Sequence, residues 1–357
     1  MPLDLSAGLT SLTRALVDVP SVSGDETALA DLVEQSLRTC GHLTVDRDGD
    51  TVVARTHLGR ARRVVIAGHL DTVPVAGNLP SRVEGDAVWG RGTVDMKAGV
   101  AVMLALAAEL RAPAHDVTWV WYDHEEVAAD LNGLGRVAAH HPDWLHGDFA
   151  VLCEPTGAGV EGGCNGTLRA EVVVRGLAAH SARAWTGVNA IHRAAEVLRR
   201  LAEYRPATIA VDGLEYREGL NAVLIAGGTA TNVVPDRCVV TVNYRFAPSR
   251  TVEQARAHVS ELLTGFEVTV TDAAGGARPG LDHPAARAFV DAVSGATGRA
   301  PVAKLGWTDV ARFSALGIPA VNFGPGDPLL AHKDDEHCPV AQIAQVHAAL
   351  HAWLTAG

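Results

Sequence analysis

Several apolar runs in this chain end on residues that could hold metal or move protons. The run 64–68 stops at His69, with Asp71 two residues on. The run 117–122 stops at Asp123-His124-Glu125-Glu126, and the run 149–153 stops at Glu154. A fourth, 320–323, leads through Gly324-Pro325-Gly326 to His332. Asp95 stands between Trp89-Gly90-Arg91-Gly92 and a long apolar stretch beginning near Lys97. Imidazole nitrogen with carboxylate oxygen, and no thiolate, is a donor set for Zn²⁺, Co²⁺ or Mn²⁺. A single catalytic zinc needs only three protein ligands. The surplus here points to two ions sharing one carboxylate, about 3.5–4 Å apart, with an activated water between them. Asp71, at i+2 on an extended segment, shares a face with His69 and could accept its second ring N–H, fixing the tautomer.

Taken singly, each of these signals has a plainer reading. The chain holds 16 histidines, and an isolated one is usually a surface or satisfied residue. Glu125-Glu126 alone would be a solvated pair, and Asp95 alone a helix N-cap. What separates the chemical reading from the plain one is position. The apolar runs alternate with helical patterns at 98–110 and 131–139, which implies an α/β domain with a largely parallel sheet. In such a sheet, ligands and catalytic groups gather at the carboxyl ends of the strands. Four strands therefore deliver these side chains to one edge.

Other elements frame that sheet. An amphipathic helix is expected over 1–19. A second spans 26–40, with Asp25 as its cap and Gly41 just past its end. Two strands meet near Asp48-Gly49-Asp50. The middle of the chain changes order: strand 168–175, helix 190–204, strands 221–226 and 238–246, helix 252–263, strand 266–271. That β-α-β-β-α-β sequence is the order of a ferredoxin-like sandwich. Residues 168–276 thus read as a second domain inserted between 1–167 and 277–357, where a helix near 284–293 and another over 340–354 resume the first. With 357 residues, 48% hydrophobic and 20% charged, the chain is long enough for one large core and a smaller one.

Composition excludes some functions. No run approaches the roughly 20 apolar residues of a membrane span, and residues 1–19 lack the parts of a signal peptide. The five cysteines are widely spaced and expected to be reduced thiols. A cytoplasmic protein is the expectation. A net charge of -11 argues against nucleic acid as a partner.

With these residues in view, the chain resembles the co-catalytic zinc aminoacylase and carboxypeptidase family. The resemblance rests on Gly68-His69-Leu70-Asp71-Thr72-Val73-Pro74, Gly90-Arg91-Gly92-Thr93-Val94-Asp95-Met96-Lys97, Glu125-Glu126, Cys153-Glu154-Pro155-Thr156 and Ala331-His332, in order along nearly the whole chain. It implies two zinc ions per subunit, replaceable by cobalt, with Asp95 bridging them. His69 and Glu154 would complete one site, Glu126 and His332 the other. Glu125 would be the general base and Asp71 the residue that orients His69. In the inserted lid, Ala179-His180-Ser181-Ala182 resembles the segment whose histidine reaches the partner subunit's active site in a homodimer. Asn232, in Thr231-Asn232-Val233-Val234-Pro235, would contact substrate. Arg245 suits a two-pronged grip on a carboxylate.

The stretches 163–169, 306–313 and 324–328 are similar to the actinobacterial branch of the family's desuccinylases, and they add Thr308, Arg312 and Gly324 as substrate contacts. The implied reaction is hydrolysis of N-succinyl-LL-2,6-diaminopimelate to succinate and LL-2,6-diaminopimelate, in lysine and diaminopimelate biosynthesis. The Gram-negative branch has Gly-Arg-Arg-Gly where residues 163–166 stand, so Asn165 replaces a carboxylate-binding arginine. Whether Arg169 substitutes is left open by the sequence. An acetylornithine deacetylase or a dipeptidase is the alternative within the family, and a metal-binding module without catalysis the alternative outside it.

Overall fold

The sequence AGVAVMLALAAE is apolar around its whole circumference, so a helix built from it must be enclosed on every side. In the computed structural model, which describes residues 2–356, this is the helix Ala98–Glu109. It lies in a core with Leu16, Leu29, Ile66, Val151, Ile343 and Val346. Its start is pressed against the sheet. A Cβ on Gly99 would sit 2.2 Å from the Cys153 carbonyl oxygen, so only glycine allows this approach.

The chain divides into two compact units. The first comprises Met1–Gly163, Pro279–Val302 and Arg312–Gly357. At its centre four strands run parallel, in the order Asp116–Tyr122, Arg63–His69, Phe149–Leu152, Ala320–Asn322. Asp116–Tyr122 is buried at every position, as a strand covered on both faces must be. Antiparallel strands extend the sheet: Thr51–Arg55 and Thr44–Asp48 on one side, Glu161–Gly162 on the other.

Register decides what the sheet's carboxyl edge presents. His69 pairs with Tyr122, Ala67 with Leu152, and Asn322 with Leu152. His69, Glu154 and Gly324 therefore each stand two residues beyond one common level on three neighbouring strands.

The second unit, Cys164–Arg278 with Ala303–Ala311, holds a four-stranded antiparallel sheet. Its order is Gly219–Gly227, Arg237–Phe246, Gly166–Arg175, Glu267–Ala274. Numbered along the chain, this is the 4-1-3-2 arrangement of a ferredoxin-like sandwich. Along Arg237–Phe246 buried and half-buried residues alternate, the mark of a sheet with one covered face. Helices Ala190–Glu203 and Val252–Leu262 supply Ala194, Val197, Ala255 and Val259 to that core. A hairpin, Thr208–Val211 with Leu214–Arg217, turns at Asp212-Gly213 and was not anticipated.

Expectations for the first two helices are corrected. The second helix is Thr27–Leu37, with Glu26 rather than Asp25 at its N-cap and no side-chain capping bond. The fully buried Glu26 carboxylate is drawn instead to the backbone N–H groups of Gly24 and His124. That helix ends before Gly41, which is not in the left-handed conformation of a capping glycine. The first helix is shorter than expected, Leu9–Val17; Met1 lies outside the described residues. All five cysteines are free thiols, and four are buried. No helix among the described residues is long and apolar enough to cross a membrane.

Candidate metal centre and active site

His69, Asp95 and Glu126 each offer a ligand atom within 4.8 Å of the other two. Asp95 is the hub. Its Oδ1 lies 3.0 Å from His69 Nε2, and its Oδ2 lies 3.4 Å from His332 Nε2. One carboxylate thus turns one oxygen to each imidazole, the arrangement a bridging ligand needs. Asp95 does not cap the helix that follows; the N-cap there is Lys97. His332 Nε2 is also 2.9 Å from Glu126 Oε1. His332 holds a left-handed backbone, φ 66°, which costs an L-residue about 1–2 kcal/mol. Glu154, 4% exposed, stands level with His69 on the adjoining strand.

The charges are strongly interdependent. Burial opposes a charged His69, yet hydrogen bonds with Asp71 and Asp95 outweigh it and hold the imidazole well above its ordinary range. Burial likewise opposes ionised Asp95, and the bonds with His332 and His69 overcome it and keep the carboxyl below the usual range. Burial and the neighbouring Asp95 charge push Glu126 up. Asp95 and Glu126 raise His332 to about 10. Carboxylates gathered in a half-buried place need compensating positive charge. Nitrogen and oxygen donors without thiolate at these separations fit divalent zinc or cobalt.

Asp71 does more than face His69. His69 Nδ1 lies 3.0 Å from the Asp71 backbone carbonyl and 3.5 Å from its carboxylate. The carboxylate accepts from Glu125 N and Glu126 N at 3.0 Å each, and from Ser23 Oγ at 2.7 Å. Although burial opposes it, these partners and His69 lower its pKa to about 2. One buried anion therefore fixes both the histidine strand and the Glu125-Glu126 loop.

Two supports escaped the sequence reading, Ser23 and Glu336. Glu336 is 1% exposed and accepts hydrogen bonds from the segment that carries Asp95. In Lys333-Asp334-Asp335-Glu336 it reads as one more solvated charge. No local signal distinguishes it.

Of the expected substrate contacts, Gly324 and Arg312 lie in the same unit as the candidate metal ligands. Both backbone groups of Gly324 are already engaged: its N–H donates to Thr156 Oγ1, and its carbonyl accepts from Ala158 N. Arg312 donates to the Ala129 carbonyl at 2.7 Å.

His180, Asn232, Arg245 and Thr308 lie in the second unit. His180 and Asn232 are neighbours there, because Ala179–His180 pairs with Val233–Val234 and Ser181 N donates to the Asn232 carbonyl. His180 is exposed and caps the turn Ser181–Thr186, its Nδ1 accepting from Ala182 N at 3.0 Å. Arg245 Nε donates to Asn243 Oδ1. Thr308 is buried, 2% exposed. Asn165 is buried as well, its amide donating to the carbonyls of Arg217 and Leu305, while Arg169 is exposed.

The chain is 54% identical over 355 residues to a Mycobacterium tuberculosis protein named as a succinyl-diaminopimelate desuccinylase, and 99% of each chain is covered. It is 49% identical to the succinyl-diaminopimelate desuccinylase of Corynebacterium glutamicum, covering 99% of this chain and 98% of that one. Among solved structures, a metallo-carboxypeptidase from Sulfolobus solfataricus shares the fold, with a TM-score of 0.80, 17% identity, and coverage of 98% and 99%. Residues 65–356 match the profile of peptidase family M20/M25/M40. The strand-end carboxylates and imidazoles, the inserted ferredoxin-like unit and these matches agree: the chain belongs to peptidase family M20/M25/M40.

Proposed function

We propose that this protein hydrolyses N-succinyl-LL-2,6-diaminopimelate to succinate and LL-2,6-diaminopimelate, as a cytoplasmic enzyme holding two zinc ions per subunit. The observation that carries this reading is the 54% and 49% identity, over 99% of the chain, to two proteins named as succinyl-diaminopimelate desuccinylases, joined to a ligand cluster centred on Asp95. In the proposal Asp95 would be shared between the ions, with His69 and Glu154 the further residues that would hold one, and Glu126 and His332 the other. When bound, the ions supply Lewis-acid polarisation of the amide carbonyl and acidify water at the site.

The chain's own residues do the rest. Glu125 takes a proton from the attacking water and delivers it to the leaving amine; its backbone N–H, tied to Asp71, sets where that side chain starts. Since His180 Nδ1 accepts a backbone N–H, the neutral ring carries its proton on Nε2. Nε2 is then a donor for the carbonyl oxygen as negative charge develops there. Arg245, Arg312, Thr308 and Asn232 are the proposed contacts for a substrate rich in carboxylates. Gly324 enters the proposal only as backbone lining, because its polar groups are engaged.

A homodimer through the lid is part of the same reading. Gly219–Gly227 is an edge strand of the lid sheet, and its Val223, Leu224 and Ile225 are 51%, 69% and 53% exposed. An apolar edge of this kind is a template for strand pairing. Sedimentation should give a dimer that Leu224→Arg dissociates; a fully active monomer would remove this part.

The deciding experiment is hydrolysis of N-succinyl-LL-2,6-diaminopimelate by protein stripped of metal, then supplied with two equivalents of zinc. Zinc-dependent release of succinate is expected. Zinc binding without release, or a clear preference for acetylornithine, would move the substrate to another acylated amino acid.

A further inference from the structure

We infer that the buried ion pair between Arg91 and Glu336 is a positioning device that holds the segments bearing Asp95 and His332 in register, and thereby sets the affinity of the site for its ions. The inference rests on the metal-site reading proposed above.

The Glu336 side chain is 1% exposed and that of Arg91 4%. Every lone-pair direction of the carboxylate is used. Oε1 accepts from Val94 N at 2.8 Å and Asp95 N at 3.1 Å. Oε2 accepts from Gly92 N at 3.0 Å and Arg91 Nη1 at 2.9 Å. Gly92 is left-handed, φ 82°, and such a turn lets successive N–H groups converge on one anion. The Glu336 backbone carbonyl accepts from Gly90 N as well. The path that carries Asp95 is thus moulded around a residue four positions after His332.

Arg91 ties in the remaining segments. Its Nη1 also donates to the Lys333 carbonyl, next to His332, at 3.1 Å. Its Nε donates to the Pro74 carbonyl at 3.1 Å, in the segment that follows His69 and Asp71. One guanidinium fork spans the chain behind three proposed ligands, a geometry a lysine's single ammonium cannot reproduce. A buried ion pair often adds little stability over an apolar pair of equal volume. What apolar side chains cannot do is dictate the direction of the N–H groups of Gly92, Val94 and Asp95. Ligand placement is therefore the property this pair controls.

The test is zinc affinity, measured by chelator competition, for wild type, Glu336→Gln and Arg91→Lys, beside thermal melting of each metal-free protein. Glutamine keeps the volume but turns its amide N–H groups on the donors of Gly92 and Arg91. Glu336→Gln should bind zinc about 10–100-fold more weakly, the usual effect of removing a residue that orients a ligand. Raising free zinc should restore its turnover. Arg91→Lys keeps the charge and should shift affinity the same way by less; it serves if Glu336→Gln does not fold. Unchanged zinc affinity with only a lowered melting temperature would show a purely structural pair and overturn the inference. Failure of wild type to bind zinc would instead overturn the metal-site reading.

Discussion

Two pairs of candidate residues, His69 with Asp71 and His180 with Asn232, are held in opposite ways. In the first unit, the His69 and Asp71 side chains are 1% and 0% exposed, and their polar atoms engage Asp95, Ser23 and the Glu125-Glu126 backbone. In the second, His180 sits exposed on a two-residue strand pair and Asn232 in the turn just before its partner strand, anchored mainly by backbone bonds. Buried polar atoms must find partners within the fold, so His69 and Asp71 are held in place before anything binds. Exposed side chains are satisfied by water and can wait for substrate or a second subunit. In the proposed function the first unit would fix the chemistry, and the second would supply contacts made during turnover.

The sharpest way to break that comparison is to remove a group assigned to chemistry but not to metal. Glu125→Ala should lower turnover by about 10²–10⁴-fold while metal analysis still finds both ions. Loss of an ion would mean that Glu125 is a ligand. His180→Ala should lower kcat by about 10²–10³-fold with zinc affinity unchanged; a parallel loss of zinc would erase the distinction between the units. Asp71→Asn probes the preorganised side. An amide cannot accept from both Glu125 N and Glu126 N and Ser23 at once, so zinc affinity should fall about 10–100-fold in chelator titrations.

The smallest effect is a control remote from either set. Asp116 accepts from Thr56 Oγ1, Leu58 N and Arg60 N. Burial opposes its ionisation, yet those bonds and the Arg63 charge hold its pKa below the ordinary 3.8. A depressed carboxyl stabilises the fold above its unfolded pKa, and that contribution fades as pH falls through the folded value. Metal-free wild type should therefore melt above Asp116→Asn near neutrality. The gap should close below about pH 4, near the model-peptide pKa of Asp; a gap independent of pH would contradict it.

Much of this arrangement was legible because the apolar runs are unambiguous. A strand buried on both faces has to be apolar throughout, so the polar residue that ends it stands out, as His69 and Glu154 do. The lid strand Arg237–Phe246 alternates for the same reason in reverse: only one face is covered. The hairpin at Asp212-Gly213 was missed although an Asp-Gly pair is a strong turn signal. Asp25 misled because its neighbour Glu26 has distant partners that outweigh local capping.

The sequence by itself determined the element types, the parallel core with its inserted sandwich, and the candidate ligands, since each follows from local period and from where polar residues interrupt it. Only tertiary structure decided that Asp95 faces two imidazoles rather than capping a helix, that Asp71 grips the Glu125-Glu126 loop, and that Glu336 is a buried clamp rather than a solvated acid. Those outcomes depend on hydrogen-bond partners up to 245 residues away along the chain. Burial makes such partners obligatory, and burial is a property of the folded chain that no short window of sequence contains.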